Sequence, residues 1–291
     1  MEKLKQTRRR RDRRASEPPR MQLTERDRDI VRAVYAFRLL RQDQAQRLFF
    51  TSRSTAQRVL QRLYQHGYLD RRFLPVTAGR GPTLYTLDRR GVEILRLEDG
   101  LDNISRYAAN ELKSDFLMHL AAINDVRIAV TLGAKRAGYA LARWLSDHEL
   151  KADYDRVQIA GPSGRRQSVS LIPDSYFTLK TPHGYANCFL EVDMGTMALE
   201  RFKNKVRAYI AYYRSGAFEQ RYSARAVRIL TVTSSTKRLT NLKAATEAAG
   251  GQHAFWFALA DELTPDSIID QPVWQVAQET PQMRLIEPVS P

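Results

Sequence analysis

Residues 51–87 read TSRSTAQRVLQRLYQHGYLDRRFLPVTAGRGPTLYTL. Thr51 and Ser52 supply a helix cap, and the helix they open runs to Gly67, a stop residue because glycine tolerates positive φ. Ala56, Val59, Leu60, Leu63 and Tyr64 recur at helical spacing as one apolar stripe. Arg53, Ser54, Gln57, Arg58 and Gln61 fall mainly on the opposite side, with Thr55 beside them in the first turn. Arg and Gln are the side chains that pair bidentately with guanine and adenine edges in the major groove. After Gly67, two β-rich runs, Tyr68 to Pro75 and Thr83 to Leu87, flank the glycine-containing turn TAGRG. That pattern predicts a hairpin with Arg80 near its tip.

Upstream, Thr24 predicts the start of a first helix, with Asp27 at the reciprocal position of a capping box. Ile30, Val31, Val34, Tyr35 and Leu39 follow at helical spacing, and Gln42 to Phe50 reads as a short second helix. Three helices and a hairpin, closed by a helix from Gly91 to Leu97, make a winged helix-turn-helix over residues 21–97. In that motif the third helix reads bases and the wing reaches phosphate or minor groove. A solvated charged stripe would explain the third helix alone. Helix order, cap, wing and local charge agree on the DNA-binding reading.

The charge is unevenly placed. The 291-residue chain carries 47 Lys and Arg against 32 Asp and Glu, a formal net charge of +15. Residues 1–20 hold nine Lys/Arg and three Asp/Glu; residues 21–100 hold fifteen and nine; the remainder is close to neutral. Arg8, Arg9, Arg10 and Arg11 lie in a run with nothing apolar to bury, which predicts a disordered basic arm over 1–20 that adds salt-dependent affinity for phosphates. Hydrophobic residues make up 43%, which excludes global disorder. The single cysteine, Cys188, excludes a disulfide framework and a Cys-rich zinc site. The five histidines lack metal-ligand spacing. No apolar run approaches the ~18 residues of a membrane span, and no signal-peptide segment follows the basic N-terminus. The expectation is a cytoplasmic protein with no membrane partner.

Residues 98–109 read as a linker, 110–278 as an α/β domain with a mixed sheet, and 279–291 as a tail. In the second domain the expected elements are a helix over 111–138 and strands within 142–150, 168–179, 186–193, 227–233 and 253–259. Helices follow the third and fourth strands. Asp174 sits after Pro173 in an apolar β segment, and Glu191 and Asp193 end the strand CFLEVD. Carboxylates in apolar strands need a partner. One reading is a cluster of Asp174, Glu191, Asp193 and Glu149, with Asp174 and Glu191 holding Mg²⁺ and Lys205 stabilising charge on a phosphate. The other has Asp174 capping a turn, with Glu191 and Asp193 paired to Arg201, Lys203 or Lys205.

Together these segments resemble the replication-relaxation family: YTLDRRG at the end of the winged helix, then LIPDSYFTL, FLEVDMGT, FKNKVRAYIAYY and VRILTVTSS. Its most specific parts here are Glu191, Asp193, Gly195 and Thr196 at the strand end, and Lys205 four residues before Tyr209. The resemblance implies a DNA-binding protein of a bacterial plasmid or mobile element, associated with plasmid or nucleoid. Its expected role is replication initiation, DNA relaxation or mobilisation, with a homodimer and replication or relaxosome proteins as partners. The second domain is also similar to the PD-(D/E)XK nuclease fold, which matches Asp174 and Glu191 to its metal-binding acids. It departs at the third motif position, where Asp193 replaces lysine and Lys205 or Lys203 would have to substitute. The fold class expected is therefore α+β: a winged helix followed by a nuclease-like domain. Two alternatives stand beside the mobile-element reading: a transcriptional regulator whose second domain dimerises or senses a ligand, and an active Mg²⁺-dependent endonuclease.

Overall fold

The computed structural model describes residues 13–16, 18–74, 81–101, 104, 113–160 and 166–287. Arg8, Arg9, Arg10, Arg11 and Arg80 lie outside the described residues. The chain divides into two compact units, Met1–Asn124 and Asp125–Pro291.

The first unit opens with α1 (Glu25–Phe37), which Thr24 and Asp27 cap reciprocally. A two-residue strand β1 (Leu40–Arg41) leads into α2 (Gln42–Phe49), then α3 (Arg53–Gln65) capped by Ser52. Gly67, at φ +73, ends the helix and turns the chain into β2 (Leu69–Phe73). Strand β3 (Thr83–Leu87) pairs antiparallel with β2, Leu69 opposite Leu87, and also with β1, so the hairpin is the larger part of a three-stranded sheet.

Helix α4 (Arg89–Asp99) follows β3. It runs past the expected boundary at residue 97. Glu98 and Asp99 are helical and pair with Arg28 and Arg32 of α1, each at 3.0 Å, instead of opening a linker.

Helix α5 (Ser114–Arg136) follows, and the division between units falls within it. Leu117, Leu120 and Ala121 fill a core with Leu39, Leu74 and Leu84. Gln44 and Asn124, both buried, brace the same core: Gln44 donates to the Ala121 carbonyl at 2.7 Å, and Asn124 donates to the carbonyls of Phe37 and Leu39. The first unit therefore extends some fifteen residues beyond the expected linker. By length and composition α5 could cross a membrane, contrary to the expectation that no segment would, yet 56% of its most apolar window is buried in the fold.

The second unit is built on a mixed seven-stranded sheet in the order β12-β11-β10-β9-β8-β7-β4. Its strands are β4 (Ala140–Ser146), β7 (Ser175–Thr181), β8 (Gly184–Asp193), β9 (Arg228–Thr233), β10 (Phe255–Leu259), β11 (Trp274–Val276) and β12 (Gln282–Met283). β8, β9 and β10 are parallel, and every other neighbour is antiparallel. A separate hairpin joins β5 (Asp155–Ala160) to β6 (Arg166–Leu171).

Helices α7 (Leu199–Arg214), α8 (Ala217–Tyr222) and α9 (Thr236–Ala248) pack onto the sheet. Phe189 on β8 is the hub, with the rings of Tyr176, Tyr209, Phe218 and Tyr222 within 5.3–5.8 Å of its own.

Three expectations need correction here. The first strand ends at Ser146, and residues 147–152 form α6 (Asp147–Ala152), so Glu149 is helical. The segment 168–179 is two strands broken at Pro173. The expected tail contains β12 and the buried residues Leu285 and Ile286. The fold is α+β with a mixed sheet, as the sequence implies.

Candidate nucleic-acid interface and carboxylate cluster

The first candidate surface is α3. Ala56, Leu60, Leu63 and Tyr64 are buried, whereas Arg53, Ser54, Gln57, Arg58 and Gln61 are exposed, and Thr55 is half-buried. Ser52 holds the first turn by accepting the Thr55 amide at 3.5 Å, and its hydroxyl meets that of Ser54 at 2.8 Å. The helix is fixed against α1 by a group the sequence reading missed. Arg62 donates to both oxygens of Asp27 at 2.8 Å. Asp27 is only 1% exposed and also accepts from the Thr24 amide and hydroxyl. A carboxylate buried that deeply requires such partners. One acid therefore serves as cap and as ion pair, and the presence of Asp27 in an apolar helix face was the only sequence signal.

The last part of the expected arm is also corrected. Instead of trailing through solvent, Arg14 donates to the carbonyls of Tyr64 (2.8 Å) and Leu69 (3.1 Å) and to the Asp88 carboxylate. Its guanidinium lies 4.7 Å over the Tyr64 ring.

The second candidate is the carboxylate group at the end of β8. The register of Ser175 against Leu190 sets Asp174 across from Glu191. Asp174 accepts the Val192 amide at 2.8 Å, a bond to the neighbouring strand β8 and not the turn cap weighed for it. Lys205 and Tyr209, one turn apart on α7, face the same point. Lys205 donates to one oxygen of Glu191 and the Tyr209 hydroxyl to the other. Burial pushes the Glu191 carboxyl up to about 7; the Asp174 charge adds to this, and Lys205 and Tyr209 only partly offset it. Burial lowers the Lys205 ammonium, but the charges of Glu191 and Asp174 outweigh it and leave it above its ordinary value. Burial and the Glu191 charge hold Tyr209 well above the ordinary phenol range, so it stays a hydrogen-bond donor.

Asp174, Glu191 and Lys205 thus come together, and Asp193 and Glu149 do not join them. Asp193 points along the same face of β8 but is gripped by Arg238 of α9, through Nε at 2.8 Å and Nη2 at 2.9 Å. Arg238 also reaches the Met197 carbonyl, and Asp193 accepts the amide of Gly195, which sits at φ +81. Its partner is none of the three cations expected; Lys203 instead pairs with Glu200 at 3.3 Å. Glu149 is exposed and closes a capping box, accepting the Ser146 amide and hydroxyl at 2.8 Å each. The S-x-x-E spacing of residues 146–149 was the signal for that helix start.

The donor set does not fit a resident Mg²⁺. Both Glu191 oxygens already accept from Lys205 and Tyr209, and the Lys205 ammonium already balances the carboxylate charge, so a cation there would meet a like charge at close range. No group of three or more His, Cys, Asp or Glu among the described residues is placed to hold a metal ion. What the arrangement does is tie strand to helices: Glu191 fastens β8 to α7 and Asp193 fastens β8 to α9.

A family model described as replication-relaxation matches residues 31–227. No curated protein matches the chain. Among solved structures, the chain is similar to the restriction endonuclease FokI at 11% identity and a TM-score of 0.28. The match covers 81% of this chain and 43% of that one, so this chain spans less than half of the FokI length.

Proposed function

This chain belongs to the replication-relaxation family, and from that premise we propose that it is a sequence-specific binder of double-stranded DNA. It would serve a plasmid or other mobile element, in replication initiation, relaxation or mobilisation, in the cytoplasm beside that DNA. The observation that carries this reading is the exposed row of Arg53, Ser54, Gln57, Arg58 and Gln61 on the third helix of a helix-turn-helix, flanked by a hairpin. Helix α3 enters the major groove with its N-terminal half, and Arg58 and Gln57 read base edges. Arg80 and the run Arg8 to Arg11 hold phosphates and set register without reading sequence. A second copy of the chain and replication or relaxosome proteins would be the further partners.

Selection from a random duplex library yields the preferred site. Replacing Gln57 and Arg58 together by alanine should then cost about 1–3 kcal/mol at that site for each bidentate pair removed, and leave binding to unrelated duplex nearly unchanged. An unaltered preference would refute the assignment of α3.

A second reading is favoured by one observation: Asp174, Glu191 and Lys205 converge, the composition of a phosphodiester-cleaving site. Because both Glu191 oxygens are engaged, the cluster is read here as a structural tie. Supercoiled plasmid incubated with Mg²⁺ should stay intact with wild type, Asp174→Ala and Glu191→Ala alike. Nicking by wild type that both substitutions abolish would establish the nuclease reading instead.

A further inference from the structure

Arg14 stands in a run of arginines, yet its guanidinium is spent on the protein itself. It donates to the Tyr64 carbonyl at the end of α3, to the Leu69 carbonyl in β2, and to Asp88, the cap of α4, and lies 3.7 Å from Asp70. Next to it, the Ala15 amide donates to the Gln65 side chain at 2.6 Å. These bonds fasten the N-terminal segment at the point where α3, β2 and α4 meet.

From that point the segment runs beside the exposed face of α3. On one side, Pro19, Arg20 and Gln22 line a cavity of about 650 Å³ with Gln57, Arg58 and Gln61. On the other, Arg13 and Pro18 line a cavity of about 260 Å³ with Gln57, Gln61 and the hairpin residues Arg71 and Phe73. Gln57 and Gln61 border both cavities and remain exposed, so the segment flanks them without covering them. Arg13, exposed, is thereby presented between the helix and the hairpin, and Arg20, also exposed, on the other flank of the helix.

We infer that residues 13–16 and 18–22 form a third wall of the DNA-reading surface, and that Arg14 is the positioning residue that holds Arg13 and Arg20 against the phosphates flanking α3. The inference rests on the reading of α3 as a DNA-binding helix. Its physical basis is effective concentration. A cation pinned beside the duplex meets a phosphate without the ordering cost that a loose tether incurs. Arginine also suits the anchor better than lysine, because its planar fork spreads five donors over three nitrogens toward separate acceptors, whereas the three donors of lysine share one nitrogen.

The test is duplex affinity measured by fluorescence anisotropy across a salt series, using the full chain. Replacing Arg13 and Arg20 by alanine should lower the slope of log affinity against log salt by roughly two, about one for each phosphate no longer neutralised. Arg14→Ala should lower the slope by a similar amount although both cations remain, and Arg14→Lys should behave like Arg14→Ala. The triple variant should be no worse than Arg14→Ala, because without the anchor neither cation is held at its phosphate.

Additive losses, or full rescue by lysine, would overturn the positioning role. Tighter binding by Arg14→Ala would overturn it too, showing a segment that competes with DNA. Thermal melting of each variant separates loss of the anchor from loss of the fold. If wild type itself shows no salt-dependent duplex binding, the reading of α3 fails; if wild type binds and the losses add, only the inference about Arg14 fails.

Discussion

Glu191 is a carboxylic acid whose buried environment changes its chemistry from that in water. It is 6% exposed, in contact with Lys205 and Tyr209, and burial pushes its carboxyl up to about 7. An unfolded glutamate titrates in the ordinary range of about 4.3. Between those values the folded chain holds a proton that the unfolded chain has released. Stability from this group is therefore fully present below the ordinary carboxylate value and is lost as pH rises through about 7. Lys205 stays charged over the whole window, since its value is raised.

Glu191→Gln removes the titration but keeps the shape. Melting temperatures of wild type should fall relative to the variant between pH 5 and 8; parallel curves would mean that Glu191 does not titrate there. The sequence made part of this legible. An acid at the end of an apolar strand demands a partner, and Lys205 was identified as one. It could not assign Asp193 to Arg238, because the two are 45 residues apart and only the parallel pairing of β8 with β9 brings α9 beside that strand.

The same division holds for elements. Helices with caps and stripes, such as α1 and α3, were legible because their signals are local. Strand β1 was not, since a two-residue strand exists only through its pairing with β3. Helix α6 was misread because the apolar residues before it continued a β pattern past Ser146.

Helix α4 carries a tertiary constraint within a local motif. A Cβ on Gly91 would lie 2.3 Å from the Tyr68 carbonyl and 3.1 Å from Leu87. The glycine lets the first turn of α4 rest on the backbone where α3 passes into β2, which explains the glycine that ends YTLDRRG. The obstacle is backbone, so it cannot rotate away. Gly91→Ala should destabilise the first unit by about 3 kcal/mol, the upper end for overpacking. Chemical denaturation of the variant measures this, and a cost below about 0.5 kcal/mol, the range of ordinary surface changes, would show that α4 moves freely.

For the whole chain, the sequence placed the division in residues 98–109 because they are rich in polar residues and follow an expected winged helix. Packing places it later, between Asn124 and Asp125. The reason is that the elements from α1 to α4 alone leave Leu39, Leu74 and Leu84 without cover, and Leu117, Leu120 and Ala121 supply it. Asn124 and Gln44 add hydrogen bonds that span the same distance in sequence. A fragment of residues 1–109 lacks two buried leucines, an alanine and the Asn124 amide. At about 1.5–3 kcal/mol for each buried large side chain, it loses roughly 3–6 kcal/mol relative to residues 1–124. For a unit of this size that corresponds to a drop in melting temperature of more than about 10 °C. The longer fragment should unfold in one cooperative transition and retain duplex binding, because α3, the hairpin and Arg14 all lie within it. Equal melting temperatures for the two fragments would return the boundary to the polar segment.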